Sequence, residues 1–560
     1  MKAQTIFLLS SIVSSAFATV APSQLALEPK NIHISSTAGG ISHIAWTLEI
    51  GRVLAERGHN VSFLTTEPYV KFGAPYEPQI KTISMGPHIS KIQFRDLFDT
   101  EDAFSTKVTS SYKQVIQDTY KRDYFAYKDI FSSSNASIAI CDQLSLPCFD
   151  AAKELNIPMI IHMTMSLSRG TIKDELHYKQ RRKRINNPID ARAPFITFYH
   201  LTDQPTTLHQ SFGQRFYERY ILLPKFIYRY FPVAMAIKKA RQEIDVQGFD
   251  PLARDSNVIK MINSFWGMES PRPVGPLVEY VGPIIGTSYD SLPSHLAEFM
   301  QQHQRVVYIA FGQMYTPSHQ EFKVLLTSLL EAYEHGYFDG FVWSLSKSSR
   351  QGLPKQVETG SGKTYLAQEL FDGKYTGLRF EPWSPQFAIL AHNHCKLFIS
   401  HGGASSIHES LYNGVPLLLH PFTSDQPANA HNIANAGVAL VLNRKMHNVT
   451  DTFEKLSTIL LDKDRVFASN MEGMQRLVQL KSKRKHYAAD IVEEVLYTVR
   501  NQSDIWHRRE ARENMSWIKA TNWDVDLVAI VTVLTVAISV CKFTLRYLKM
   551  ALVSQKWKIE

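Results

Sequence analysis

The sequence predicts an α/β protein made of two doubly wound parallel-sheet domains. Three observations carry that prediction. Short apolar runs, of the kind that form strands buried on both faces, recur in both halves of the chain. In each half a run ends in small residues and passes into a helical pattern. Between the halves lies a stretch rich in Gly, Pro and Ser, "YVGPIIGTSYDSLPSH" (280–295). A chain of 560 residues holds roughly two to four domains. With 44% hydrophobic and 20% charged residues, the composition is that of a globular protein and excludes collagen-like or wholly disordered classes.

The N-terminal half opens with "KNIHISS" (30–36) as a strand and "TAGGISH" (37–43) as a turn. A helix follows with Ala45, Leu48, Val53 and Leu54 on its apolar side, then a second strand, "RGHNVSFLT" (57–65). This β–turn–α–β unit starts a parallel sheet. Further along, "ASIAICD" (136–142) and "IPMIIHM" (157–163) read as strands around the helical "PCFDAAKELN" (147–156). The C-terminal half begins afresh with "RVVYIAFG" (305–312), and "GFVWSLS" (340–346), "KLFISHGG" (396–403) and "VPLLLHP" (415–421) follow as strands. The expected division is an N-terminal domain over 19–283, a linker over 284–300 and a C-terminal domain over 301–482, followed by helices and a juxtamembrane segment over 483–524.

The two ends carry targeting signals. Residues 1–18 run from Lys2 through an apolar stretch to Ala16-Phe17-Ala18, the order of a cleavable secretory signal peptide. Leu527 to Cys541 carries no charge, so 525–545 reads as a membrane-spanning helix, a buried helix being the alternative. The basic segment 546–560 then lies in the cytosol and the body in the lumen. The terminal "KWKIE" resembles the dilysine retrieval signal of endoplasmic reticulum membrane proteins. Of four cysteines, Cys541 falls in the apolar helix; Cys141, Cys148 and Cys395 allow at most one disulfide, and free thiols fit equally well. Five glycosylation sequons, at Asn60, Asn135, Asn448, Asn501 and Asn514, suit a luminal body, with Asn60 expected to be buried in a strand. The net charge of +9 is dispersed apart from "KQRRKR" (179–184), which reads as a solvated loop, so no nucleic-acid partner is expected.

The turn "FISHGGASSIHE" (398–409) leaves a buried strand through small residues and enters a helix. It therefore presents unpaired N–H donors and a partial positive charge suited to phosphate. Its neighbours are "WSPQ" (383–386) and "SDQPAN" (424–429). Together, "WSPQFAILAHNHCKLFISHGGASSIHESLYNGVPLLLHPFTSDQ" resembles the signature block of the UDP-glycosyltransferases, most of all the animal membrane-bound glucuronosyl- and glucosyltransferases. "GHNV", "FWGMESPRP" and "VVYIAFG" extend the likeness along nearly all of 30–560.

That resemblance implies a GT-B fold, two Rossmann-like domains facing a cleft, and transfer of glucose or glucuronic acid from a UDP-sugar to a small lipophilic acceptor. Trp383 would stack on uracil, core packing being its alternative, and Gln386 would bond near the base or ribose. His401 and the N–H groups around Gly403, Ser405 and Ser406 would hold the diphosphate. Glu409 would accept both ribose hydroxyls, while Asp425 and Gln426 would read the sugar, a helix N-cap being the competing role for Asp425. The resemblance makes His43 the general base and Asp142 the acid that orients it. The position of His43 near a helix N-terminus should keep its ring neutral. "DQLSLPC" (142–148) has one residue more between Asp and Pro than the animal pattern. No metal is expected: the D-x-D sequences Asp462–Asp464 and Asp524–Asp526 read as solvated charges. Formation of homo-oligomers stays open. The reading from another class is an inactive glycosyltransferase-like subunit or lipid-binding protein.

Overall fold

The computed structural model describes residues 28–38, 40–87, 106–164, 206–248, 258–272, 274–312, 315–346, 349–422, 425–443, 448–499, 504–508 and 515–556. The signal peptide, "KQRRKR", Asn501, Asn514 and Lys558 lie outside the described residues.

In the N-terminal half the chain runs β1 (Asn31–Ser35), α1 (Ile41–Glu56), β2 (Asn60–Thr65), β3 (Ile80–Ser84), α2 (Thr106–Ser133), β4 (Ile138–Asp142), α3 (Leu146–Glu154), β5 (Met159–Met163), α4 (Leu223–Gln242), β6 (Ile259–Ile262) and β7 (Val278–Tyr280). The seven strands form one sheet in the order β3-β2-β1-β4-β5-β6-β7, parallel throughout. Strand β4 is buried at every position, as a strand covered by helices on both faces must be.

The second half contains α5 (Ser294–Gln302), β8 (Val306–Ala310), α6 (His319–Glu334), β9 (Gly340–Ser344), the hairpin β10 (Gln356–Glu358) and β11 (Thr364–Leu366), β12 (Leu378–Glu381), α7 (Gln386–Leu390), β13 (Cys395–Ser400), α8 (Ala404–Asn413), β14 (Leu417–Leu419), α9 (Gln426–Asn435), β15 (Ala439–Val441), α10 (Val449–Leu461) and α11 (Val466–Lys481). Its parallel six-stranded sheet has the order β12-β9-β8-β13-β14-β15. Each sheet reverses its winding once, between β1 and β4 in the first and between β8 and β13 in the second. Such switch points leave an open crevice at the carboxyl ends of the strands, where doubly wound folds bind ligands.

The sequence division assigned 483–524 to neither domain. In the fold, α12 (Lys485–Thr498) returns across the molecule and packs on α1. Its Ile491, Val492 and Val495 are buried in the same core as Ile44, Leu48 and Ile50 of α1. Each contributes about 1.5–3 kcal/mol of apolar burial, which a free amphipathic helix would forgo. Glu49 of α1 is buried and accepts from Lys485 Nζ at 3.2 Å and from Thr287 N in the linker at 3.3 Å. Burial alone would raise its pKa; Lys485, the Thr287 N–H and Arg52 reverse that and hold it below the usual carboxylate value.

One expectation changes on the surface. Asn60 is exposed, not buried, because it stands at the open start of β2; its amide donates to Asn31 Oδ1 at 3.1 Å. Phe212, Phe216, Tyr220, Tyr228 and Phe231 are exposed as well. At the far end, α13 (Trp523–Lys556) includes a 28-residue stretch, Trp523–Met550, long and apolar enough to cross a membrane.

Candidate active site

The first crevice brings His43 and Asp142 together. His43 lies in the first turn of α1, after Gly40, whose φ of 72° starts the helix where a side chain would be strained. Asp142 is the last residue of β4. Although 99 positions apart, His43 Nδ1 donates to Asp142 Oδ2 at 2.7 Å. With that proton on Nδ1, Nε2 is the accepting nitrogen, and the Thr164 hydroxyl donates to it at 3.2 Å.

Asp142 is fully buried. Its Oδ1 accepts from Leu144 N at 2.8 Å, and its backbone oxygen accepts from Ser145 N at 2.8 Å. The extra residue of "DQLSLPC" is thus absorbed in the turn after Asp142, with the Leu144 side chain turned outward. On the other side His162 Nδ1 stands 3.7 Å from Asp142 Oδ2, while His162 Nε2 donates to Ser35 O at 3.0 Å. Burial opposes ionisation of Asp142, but His43, His162 and the Leu144 N–H outweigh it and hold the carboxyl below its ordinary value.

Burial likewise depresses His43, but Asp142 and then Asp425 from the opposite domain raise it, and the net direction is up. The direction is therefore set by the neighbouring carboxylates rather than by the helix N-terminus. A carboxylate in contact outweighs the partial charge of a helix end.

The second crevice gathers the residues expected on the donor side. Trp383 is 60% exposed, which removes core packing as its role and leaves its ring face open to a planar ligand. Gln386 Nε2, at the start of α7, donates to Glu409 Oε2 at 2.8 Å and approaches Ser406 Oγ at 3.3 Å. Burial pushes the Glu409 carboxyl up to about 7 against the opposing pull of the Gln386 amide. His401 follows β13 and burial lowers it to about 4, so its imidazole is neutral at physiological pH. It sits between two glycines: a Cβ on Gly403 would meet His401 Nε2 at 2.5 Å, and one on Gly312 would meet Cε1 at 3.0 Å.

Gly403 occupies the N-cap position of α8 with no side-chain cap, and Ala404, Ser405 and Ser406 form the first turn. That turn presents backbone donors and the positive end of a ten-residue helix to the crevice. Asp425 stands at the N-cap position of α9 but makes no capping hydrogen bond. Its Oδ2 accepts from Asn429 Nδ2 at 2.7 Å. Gln426 Oε1 accepts from Phe422 N at 2.9 Å.

The structure adds residues that sequence reasoning missed. Thr164 directly follows β5, so the rule that ligands meet strand carboxyl ends already pointed to it. His162 precedes it by two positions and shares the face of β5 turned to Ser35. Tyr289 of the linker stacks on Phe387 with centroids 3.7 Å apart, an across-chain contact that no local pattern signals. Among the described residues, no three His, Cys, Asp or Glu are grouped to hold a metal ion. Asp462 instead accepts from Phe467 N and Ala468 N at 3.0 and 2.8 Å, closing the start of α11.

Two Rossmann-like domains with facing switch points define a GT-B glycosyltransferase. The chain belongs to the family described as UDP-glucoronosyl and UDP-glucosyl transferase, whose pattern matches residues 34–558. A UDP-glycosyltransferase of Talaromyces amestolkiae is 28% identical over 517 residues, covering 88% of this chain and 93% of its own. UDP-glycosyltransferase 1 of Phaeomoniella chlamydospora is 31% identical over 403 residues, covering 68% of this chain and 74% of its own. Among solved structures, a UDP-glucose:anthocyanidin 3-O-glucosyltransferase in complex with UDP superposes with a TM-score of 0.55 at 18% identity, covering 83% of this chain and 99% of that one. The protein is a glycosyltransferase that uses a UDP-sugar donor.

Proposed function

We propose that the chain is an inverting glycosyltransferase that moves a hexosyl group, glucose or glucuronic acid, from a UDP-sugar to a hydroxyl of a small lipophilic acceptor. The observation that carries this reading is the His43–Asp142 pair, whose second ring nitrogen accepts from the Thr164 hydroxyl at the end of β5. An acceptor hydroxyl taking the place of Thr164 would donate to His43 Nε2 and lose its proton there as its oxygen attacks the sugar carbon. Asp142 would compensate the imidazolium that forms.

On the donor side, Trp383 would carry the uracil, Glu409 the ribose hydroxyls, and Asp425 and Gln426 the sugar. The first turn of α8 and the neutral His401 would donate hydrogen bonds to the diphosphate as negative charge grows on it. No step in this scheme calls for a metal. A base oriented for proton removal sets it apart from a binding-only subunit. The test is to incubate the purified protein with each UDP-sugar and a lipophilic alcohol, with and without a chelator, and to identify the products. Release of UDP with a β-linked product, unchanged by the chelator, is expected; an α-linked product refutes inversion.

The raised Glu409 gives the donor site a pH dependence. Its ionised form accepts hydroxyl protons on both oxygens, whereas its protonated form turns one oxygen into a donor and is the weaker acceptor. UDP-glucose affinity is therefore expected to fall by about tenfold per pH unit as the pH drops below the Glu409 value of about 7. Calorimetry across that range reads it directly. Glu409→Gln should flatten the profile and weaken binding by about 1.5–3 kcal/mol at high pH. A profile unaltered in Glu409→Gln assigns the titration elsewhere.

We also propose that α13 anchors the protein in the endoplasmic reticulum membrane, with the body in the lumen. The 28-residue stretch Trp523–Met550 is longer than the hydrocarbon layer is thick, and the buried Cys141–Cys148 disulfide suits an oxidising compartment. Replacing Lys556 and Lys558 with serine is expected to release the protein to later secretory compartments, read by microscopy and glycan processing. Unchanged retention would remove the dilysine role.

A further inference from the structure

The residues that hold His43 and those that hold Asp142 are different. His43 rides on α1, which is fixed by the hydrophobic packing of α12 and by the Glu49–Lys485 pair. Asp142 ends a strand and starts a turn that carries the exposed Leu144 and the buried Ser145. Two of the turn's hydrogen bonds, from Leu144 N and Ser145 N, go back to Asp142 itself. Others reach outward: Gln143 N donates to His162 O at 3.1 Å, and the Ser145 and Thr37 hydroxyls meet at 3.1 Å. The Leu144 side chain faces solvent. A turn of this kind is not rigid on its own, yet the carboxylate it carries must stay within 2.7 Å of His43 Nδ1.

A covalent link closes this turn. Cys141, immediately before Asp142, is bonded to Cys148 in the first turn of α3, and both are buried in the core beneath the sheet. The ring so formed encloses Asp142, Leu144 and the rest of the turn and nothing else.

We propose that the Cys141–Cys148 disulfide is a positioning element for catalysis: by tying the two ends of the Asp142 turn, it holds the carboxylate on His43. Opening the ring leaves α1 and His43 in place and lets the Leu144 N–H drift from Asp142 Oδ1. Asp142 then spends part of its time away from the base. The donor site, built on the other sheet, is untouched.

The charged and titratable groups facing His43 are Asp142 from β4, His162 from β5 and Asp425 from α9's start. Of these, only the Asp142 contact depends on the turn. Its loss removes the main influence that raises His43, so the acid limb of the turnover profile moves to lower pH. A purely structural disulfide would lower the melting temperature without moving that limb.

The experiment compares the full-length enzyme with Cys141→Ala/Cys148→Ala, using an aliphatic alcohol acceptor. This inference rests on His43 being the base, so His43→Ala is assayed in parallel. Peptide mapping of unreduced protein should show the 141–148 linkage, and two freely alkylated thiols would overturn the proposal. The double variant is expected to lose about tenfold or more in kcat, the scale of a slightly misplaced catalytic group. Its acid limb should lie lower and its UDP affinity should be unchanged. An unaltered kcat and pH limb, with His43→Ala inactive, overturns the clamp alone; a fully active His43→Ala overturns both readings. If the double variant does not fold, wild-type enzyme reduced by a dithiol to two thiols decides. Loss of kcat that reoxidation restores supports the clamp, and full activity with both thiols alkylated overturns it.

Discussion

Replacing His43 with alanine is expected to reduce turnover by about 10²–10⁴-fold, the usual contribution of a positioned general base. Its hydrogen bonds go to Asp142 and Thr164, neither of which is assigned to UDP, so UDP affinity should change little. The effect should be largest with a weakly acidic aliphatic alcohol, whose proton must be removed during attack, and smaller with an acidic phenol that ionises unaided. Steady-state rates with both acceptors, beside UDP titrations, separate a lost base from a collapsed site. Near-normal turnover of the aliphatic alcohol would end the mechanism. In the unaltered enzyme only neutral His43 serves as base. Because the net influence of Asp142 and Asp425 raises its pKa, kcat/KM should climb with pH through a value above that of an ordinary histidine and level off beyond it.

Asp142→Asn should be nearly as severe, about 10²–10⁴-fold in kcat, through a different route. The carboxylate accepts from His43 Nδ1 at 2.7 Å and so keeps the proton on that nitrogen and Nε2 bare. An amide can present its own N–H there, which puts the ring proton on Nε2, where the acceptor hydroxyl needs an unprotonated lone pair to donate to. It also leaves the imidazolium formed during transfer without a counter-charge in a buried place. With Asp142 neutralised, the strongest upward influence on His43 is gone, and the acid limb should shift to lower pH. The double variant His43→Ala/Asp142→Asn should be no slower than His43→Ala alone, since a residue that orients a base contributes nothing once the base is absent. Multiplying effects in the double variant would show that Asp142 acts on the reaction independently.

The features legible in the chain are local ones. β1, β4, β8 and β13 each occur as an apolar run closed by a small or polar residue, and β5 is followed directly by Thr164. The period of side-chain burial depends only on neighbouring residues, so such runs can be read directly. The donor residues could be read for the same reason: Trp383 to Gln426 are close in sequence, and α8 follows β13 after only a short turn. Trp383 is exposed and α8 starts without a side-chain cap.

Long-range properties were decided by the tertiary structure. Pairing of β1 with β4 places His43 against Asp142, and β5 beside β4 brings His162 and Thr164 to the same point. Parallel strands are joined by long crossovers, so residues a hundred positions apart meet at one sheet edge with no local trace of it. The sign of the His43 shift is of this kind. Its helix position alone suggested a neutral ring, while the carboxylates of β4 and of the facing domain raise it, because a full charge in a desolvated contact outweighs a helix end. The choice of Cys141 and Cys148 as the bonded pair and the return of α12 onto α1 were settled in the same way. Residue types and their spacing determined which elements form and which chemistry they carry; only the packed fold determined which of those groups touch, since contact free energy depends on distances that separation along the chain does not encode.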